Sequence, residues 1–161
     1  MKSIVACIAI AVLVPVVGLA QEEITGTYYS SEGEDTAIEL PDGRSLNQGT
    51  YQGFLVTDDP DSVFNRVKGR CLSEGVASAS GEIIDAAGAC VVRNGDGDSF
   101  WYWWRRTEEG TAACPNACGI WGVLNGTGVF AGVTGSGTWK GTSLYPDGSD
   151  SGVWKLKVTR E

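Results

Sequence analysis

NGTGVFAGVTGSGTW, Asn125 to Trp139, places five glycines among fifteen residues around a single phenylalanine. Gly126 and Gly128 suit a tight turn that needs positive φ, Gly132 and Gly135 permit sharp bends, and Gly137 lets a strand coil past its neighbour, while Phe130 supplies a core ring. The pattern extends along the chain: the sequence holds 23 glycines, which recur every few residues from Gly26 to Gly152, and nothing beyond residue 20 sustains an i, i+3, i+4 apolar period. The chain therefore reads as all-β. Strands are predicted at Ile24–Ser30, Thr50–Thr57, Val63–Leu72, Val76–Asp85, Ala89–Arg93, Ser99–Thr107, Gly119–Leu124, Gly128–Val133, Ser136–Leu144 and Val153–Thr159. Turn residues separate them: PDG at 41–43, DDPD at 58–61, NGDGD at 94–98, NGTG at 125–128 and PDG at 146–148. Many short strands with evenly spaced turns mean a sandwich or a closed barrel.

Alternation divides the faces. Trp154, Leu156 and Val158 alternate with Lys155 and Lys157, and Val63, Val67 and Cys71 stand opposite Arg66, Lys68 and Arg70, as strands with one buried and one wet face should. Two stretches break the rule. FWYWW, Phe100 to Trp104, sets Phe100, Tyr102 and Trp104 on one side and Trp101, Trp103 and Arg105 on the other. In CGIWGVL, Cys118 to Leu124, Ile120 and Leu124 oppose Trp121 and Val123. Phe100, Tyr102 and Trp104 are expected inward, Trp101 and Trp103 outward. Pairing the two stretches as neighbours predicts an outer patch of Trp101, Trp103 and Trp121 with Arg105 at its edge. Such a patch needs a cover: the irregular segment Ser31 to Gln48, a second copy of the chain, or a stacked sugar.

The motif G-T-G-x-F-A-G-x-T-G-S-G-T at 126–138 resembles the glycine-rich strand-turn-strand of allene oxide cyclase and dirigent-type barrels, and of small secreted bacterial proteins sharing that architecture. GACVVRNGDGDSFWYWW (Gly88 to Trp104) and TDDPDSVFNRVKGRC (Thr57 to Cys71) are similar to further segments of the set, so the resemblance touches most of Thr50 to Lys140. It implies a single antiparallel, calycin-like β-barrel. For the cyclases it implies an apolar barrel cavity with an acidic group and an ordered water acting on an epoxide fatty acid; for dirigent proteins, a cavity that orients phenoxy radicals. No catalytic residue carries over, because the matching motif holds only glycines, Phe130 and small hydroxyl residues.

MKSIVACIAIAVLVPVVGLA, residues 1–20, puts Lys2 ahead of an apolar run and ends in a small-x-small pattern, the form of a signal peptide cleaved after Ala20. An uncleaved anchor is the alternative, against which stand the marginal length of the run and Pro15. The mature chain, 21–161, is expected to be one barrel domain, periplasmic or secreted, with no membrane span. Cleavage moves the formal charge from −8 to −9, which argues against nucleic acid and anionic membranes as partners. The mature chain keeps four cysteines, an even count that reads as two disulfides among three connectivities. Cys114–Cys118, closing CPNAC, and Cys71–Cys90, between neighbouring strands, are the expected pair. The cysteine spacing and the lack of any histidine argue against zinc, and neither metal nor cofactor is expected.

With no histidine and its cysteines oxidised, the chain lacks the usual parts of nucleophilic catalysis. The acid pairs Asp58 and Asp59, Asp96 and Asp98, and Glu108 and Glu109 fall in predicted turns, and Asn94, Asp96, Asp98 brushes a calcium loop but has Ser99 where glycine is required. The aromatics remain. They either fill the barrel opposite its glycines or line a cavity for a small apolar or aromatic ligand, with Phe100, Tyr102, Trp104, Phe130 and Trp154 as the candidate lining. A non-enzymatic binding or structural envelope protein is the expected function. The alternatives are an allene oxide cyclase-like isomerase, marked by an acidic or Asn/Ser cluster inside the cavity, and a carbohydrate-binding module or homo-oligomer using the outer tryptophans.

Overall fold

The computed structural model describes residues 21–31, 33–109, 113, 114 and 116–160. Residues 1–20, read above as a signal peptide, lie outside them. Nine strands run β1 (Glu22–Ser31), β2 (Asp35–Glu39), β3 (Ser45–Thr57), β4 (Val67–Ala77), β5 (Ile83–Arg93), β6 (Ser99–Glu109), β7 (Ala117–Gly126), β8 (Val133–Leu144) and β9 (Asp150–Arg160). From β3 to β9 each strand pairs antiparallel with the next, and β1 pairs with β9 along one edge and β3 along the other. Eight strands thus close into an antiparallel barrel, the architecture expected. The closing strand β3 is shared lengthwise: Ser45–Gly49 pairs with β2, and Gln52–Thr57 with β1.

Short hairpins explain the closure. Ser78–Glu82, expected inside a strand, is the β4–β5 turn, with Ser78 N–H on the Glu82 carbonyl at 2.7 Å and Gly81 N–H on the Ser78 carbonyl at 2.9 Å. The segment Gly128–Phe130, also expected as strand, is a 3₁₀ turn that Gly128 (φ 54°) opens and that Gly132 (φ 70°) follows, both in the left-handed conformation. Asp98 accepts the Val129 N–H at 3.1 Å there and leaves no space for a side chain on Gly128. Residues 63–66 are likewise turn and not strand. Both departures serve the core, because they deliver Phe64 and Phe130 from loops into one end of the barrel. The segment expected to be irregular, Ser31 to Gln48, holds β2 and the start of β3.

Phe64, Phe100 and Phe130 fill that end with ring centroids 4.9–5.4 Å apart. All three are fully buried, as are Val67, Val92, Val133 and Leu156. Cys71 and Cys90 stand directly opposite on β4 and β5, with Cα atoms 4.0 Å apart, and are disulfide-bonded toward the barrel axis. Cys114 is bonded to Cys118 in the β6–β7 connection. Among the described residues no helix is long and apolar enough to cross a membrane.

Candidate functional site: an aromatic cavity open at one end

Toward the other end, large rings face glycines across the sheet. Trp104 stands opposite Gly88, Trp139 opposite Gly119, Trp154 opposite Gly26 and Tyr28 opposite Gly152. Each ring lies where the missing side chain would be. A Cβ on Gly88 or Gly119 would come within 2.6 Å of its indole, and one on Gly26 or Gly152 within 2.8 Å of its ring. This is the sheet device in which an aromatic covers a glycine's bare backbone. It draws the rings back against the wall.

A cavity of about 470 Å³ occupies the space so freed. Tyr28, Tyr51, Tyr102, Trp104, Trp121, Trp139 and Trp154 form its walls, and Ser31, Gly33, Asp35, Leu144 and Gly148 its open mouth. Neighbouring rings meet edge to face: Tyr28 with Trp139 at 88°, Trp139 with Trp104 at 90°, and Trp121 with Trp154 at 83°. Such contacts fix walls at right angles rather than a stack.

One carboxylate stands in this wall. Asp150, at the start of β9, accepts a hydrogen bond from the Tyr28 hydroxyl at 3.1 Å and another from the Ser30 hydroxyl. Burial first, and the Asp150 charge second, push the Tyr28 phenol far above the usual range. Burial likewise raises Tyr51, with Tyr102 adding to it and the Trp104 N–H opposing, and raises Tyr102 alone. The Tyr51 and Tyr102 hydroxyls rest 3.7 Å from the Cys90 sulfur and 3.9 Å from that of Cys71. Trp121 donates to the Lys155 carbonyl at 2.9 Å. The buried N–H groups of Trp139 and Trp154 find no acceptor among the described residues; that of Trp104 has only Tyr51 beside it, short of hydrogen-bond geometry.

Of the expected lining, Tyr102, Trp104 and Trp154 line the cavity, whereas Phe100 and Phe130 belong to the closed end and do not. Trp121 corrects a second expectation. It is 3 % exposed and directly opposite Trp104, so it faces inward, while Ile120 (41 %) and Leu124 (52 %) face out. Alternation says which residues share a face of one strand; only the register joins that face to a neighbour's. The outer patch is therefore Trp101 and Trp103, both partly covered, with Val91, Ile120 and Leu124 exposed nearby. Arg105 lies outside as expected and pairs with Asp85 at 3.1 Å, an exposed bridge worth little. The proposed cover, Ser31 to Gln48, is hydrogen-bonded three strands from β6 and does not reach the patch. In the NGDGD turn, Asn94 accepts the Asp96 and Asp98 N–H groups at 3.0 and 2.9 Å.

This sidedness predicts that Trp101→Ser with Trp103→Ser leaves the barrel folded, losing about 1–2 kcal/mol per partly covered indole. Urea melts of the double variant check it. Failure to fold would place both tryptophans in the core. If the patch mediates self-association, light scattering should also show the variant as monomer.

Tyr28, Tyr51, Trp139 and Asp150 were not expected at the site. Tyr28 shares a face with Ile24 and Gly26, a two-residue period that was available to find it. Asp150 carries no such signal, lying in the polar stretch SDS beside a turn.

No family model matches the chain, and no curated protein matches it. Among solved structures it is similar to two dirigent proteins. Both are pterocarpan synthase dirigent proteins, each 14 % identical with a TM-score of 0.48; one similarity covers 94 % of this chain and 97 % of that protein, the other 88 % and 96 %. The barrel itself is established by the closed ring of strand pairs.

Proposed function

We propose that the protein is a non-enzymatic ligand-binding barrel, exported by the segment 1–20, that admits a small apolar or aromatic molecule through its open end. The observation carrying this is the cavity of about 470 Å³, walled by rings drawn back over glycines; its size lies within the ordinary range of small-molecule sites. The two disulfides support action in an oxidising compartment. The neutral fluorophore N-phenyl-1-naphthylamine should bind with one-to-one stoichiometry and quench tryptophan emission. Tyr102→Ala should shift the probe's affinity at a stability cost of about 3–5 kcal/mol. A folded protein that neither binds the probe nor loses emission would overturn this reading.

A second reading, an isomerase or cyclase of a hydrophobic substrate, is favoured by Asp150 with Ser30 and Tyr28 inside the wall, the kind of cluster such chemistry needs. Asp150→Asn separates the two: an enzyme would lose turnover while still binding substrate, and a carrier would have no turnover to lose.

A further inference from the structure

We infer that the cavity selects a ligand bearing a positively charged nitrogen, an organic ammonium attached to an apolar or aromatic body. The inference rests on the cavity being a ligand site and adds the charge of its occupant. The walls offer π-systems and negative charge together. Trp104, Trp139 and Tyr28 meet at near right angles as adjoining walls, and indole and phenol faces attract cations, most strongly where water is excluded. Asp150 stands beside Tyr28 in the same wall, and Asp35 adds a second carboxylate at the mouth.

Among the described residues no lysine or arginine lines the cavity. Arg106, two residues beyond Trp104, lies outside the lining; burial holds its guanidinium below its usual range, and the Glu82 charge opposes that shift. The two hydroxyls on Asp150 hold its oxygens in place without supplying a countercharge, so the neutralising charge is left for the ligand to bring. A neutral ligand engages that carboxylate only by donating an O–H or N–H, which leaves its charge in place. An anion would meet both acids with no cation in the lining to offset them, in a chain of net charge −8.

The test is a charge-isosteric pair: benzyltrimethylammonium, and neopentylbenzene, in which carbon replaces the charged nitrogen. Titrated into the full protein and followed by calorimetry and tryptophan emission, the ammonium should bind about tenfold tighter than the neutral isostere. Asp150→Asn should remove most of that preference by weakening the ammonium compound far more than the neutral one. Equal or tighter binding of neopentylbenzene would overturn the charge selection and leave the cavity standing as a ligand site. If neither compound binds, nor the naphthylamine probe, the ligand-site reading falls as well. The wild-type comparison needs no variant, so a poorly folded Asp150→Asn would not rescue the inference.

Discussion

Above about pH 10 the folded protein should lose roughly 4 kcal/mol of stability per pH unit from three tyrosines alone. In the unfolded chain the phenols of Tyr28, Tyr51 and Tyr102 ionise near pH 10, but in the barrel burial holds all three well above that value. Between the two ranges the folded state therefore keeps three protons that the unfolded state has released. Each retained proton contributes a slope of about 1.4 kcal/mol per pH unit. The stabilisation is intact below the unfolded value and is lost as pH rises from there toward the folded ones. Urea melts at a series of alkaline pH values give the slope, and tyrosinate absorbance from these phenols should appear only with unfolding. Tyr102→Phe should reduce the slope by about a third. A slope no steeper than that of one phenol would show that water reaches the inner rings.

At the other end of the barrel, Phe100→Ala should destabilise by about 3–5 kcal/mol. Phe100 is fully buried between Phe64 and Phe130, which come from two separate loops, and its own strand is held on both sides, so the surroundings have little freedom to collapse. Phe100→Leu, nearer in volume, should cost less. Because Phe100 does not line the cavity, whatever fraction of either variant remains folded should bind the naphthylamine probe with unchanged affinity. A changed affinity would mean that the Phe cluster and the cavity are one space.

Much of the barrel was legible in the sequence because a half-buried strand announces itself by period two, as at Trp154 to Val158, and turns by Pro, Asp and Gly. The inward set Phe100, Tyr102, Trp104 was legible for the same reason. Trp121 was not, since its face depends on its pairing opposite Trp104 and local alternation contains no register. Phe64 and Phe130 sit in apolar runs that resemble strands, yet they act as plugs from turns, a role decided by the space the closing strands leave. The site was half legible: its rings could be counted, but the carboxylate among them came from a polar hairpin that local sequence does not distinguish from surface.

Gly88, Gly119, Gly26 and Gly152 do not line the cavity, yet each determines how far a ring reclines from the axis. The bore of the barrel is in this sense set from behind its own lining. A methyl group added at Gly88 would press on the Trp104 ring and on the Leu72 carbonyl oxygen together, so the ring would tip toward the lumen only with a shift of the neighbouring β4 backbone. Variation at such positions offers a lineage a way to retune the size of its guest while the chemistry of the wall is kept constant.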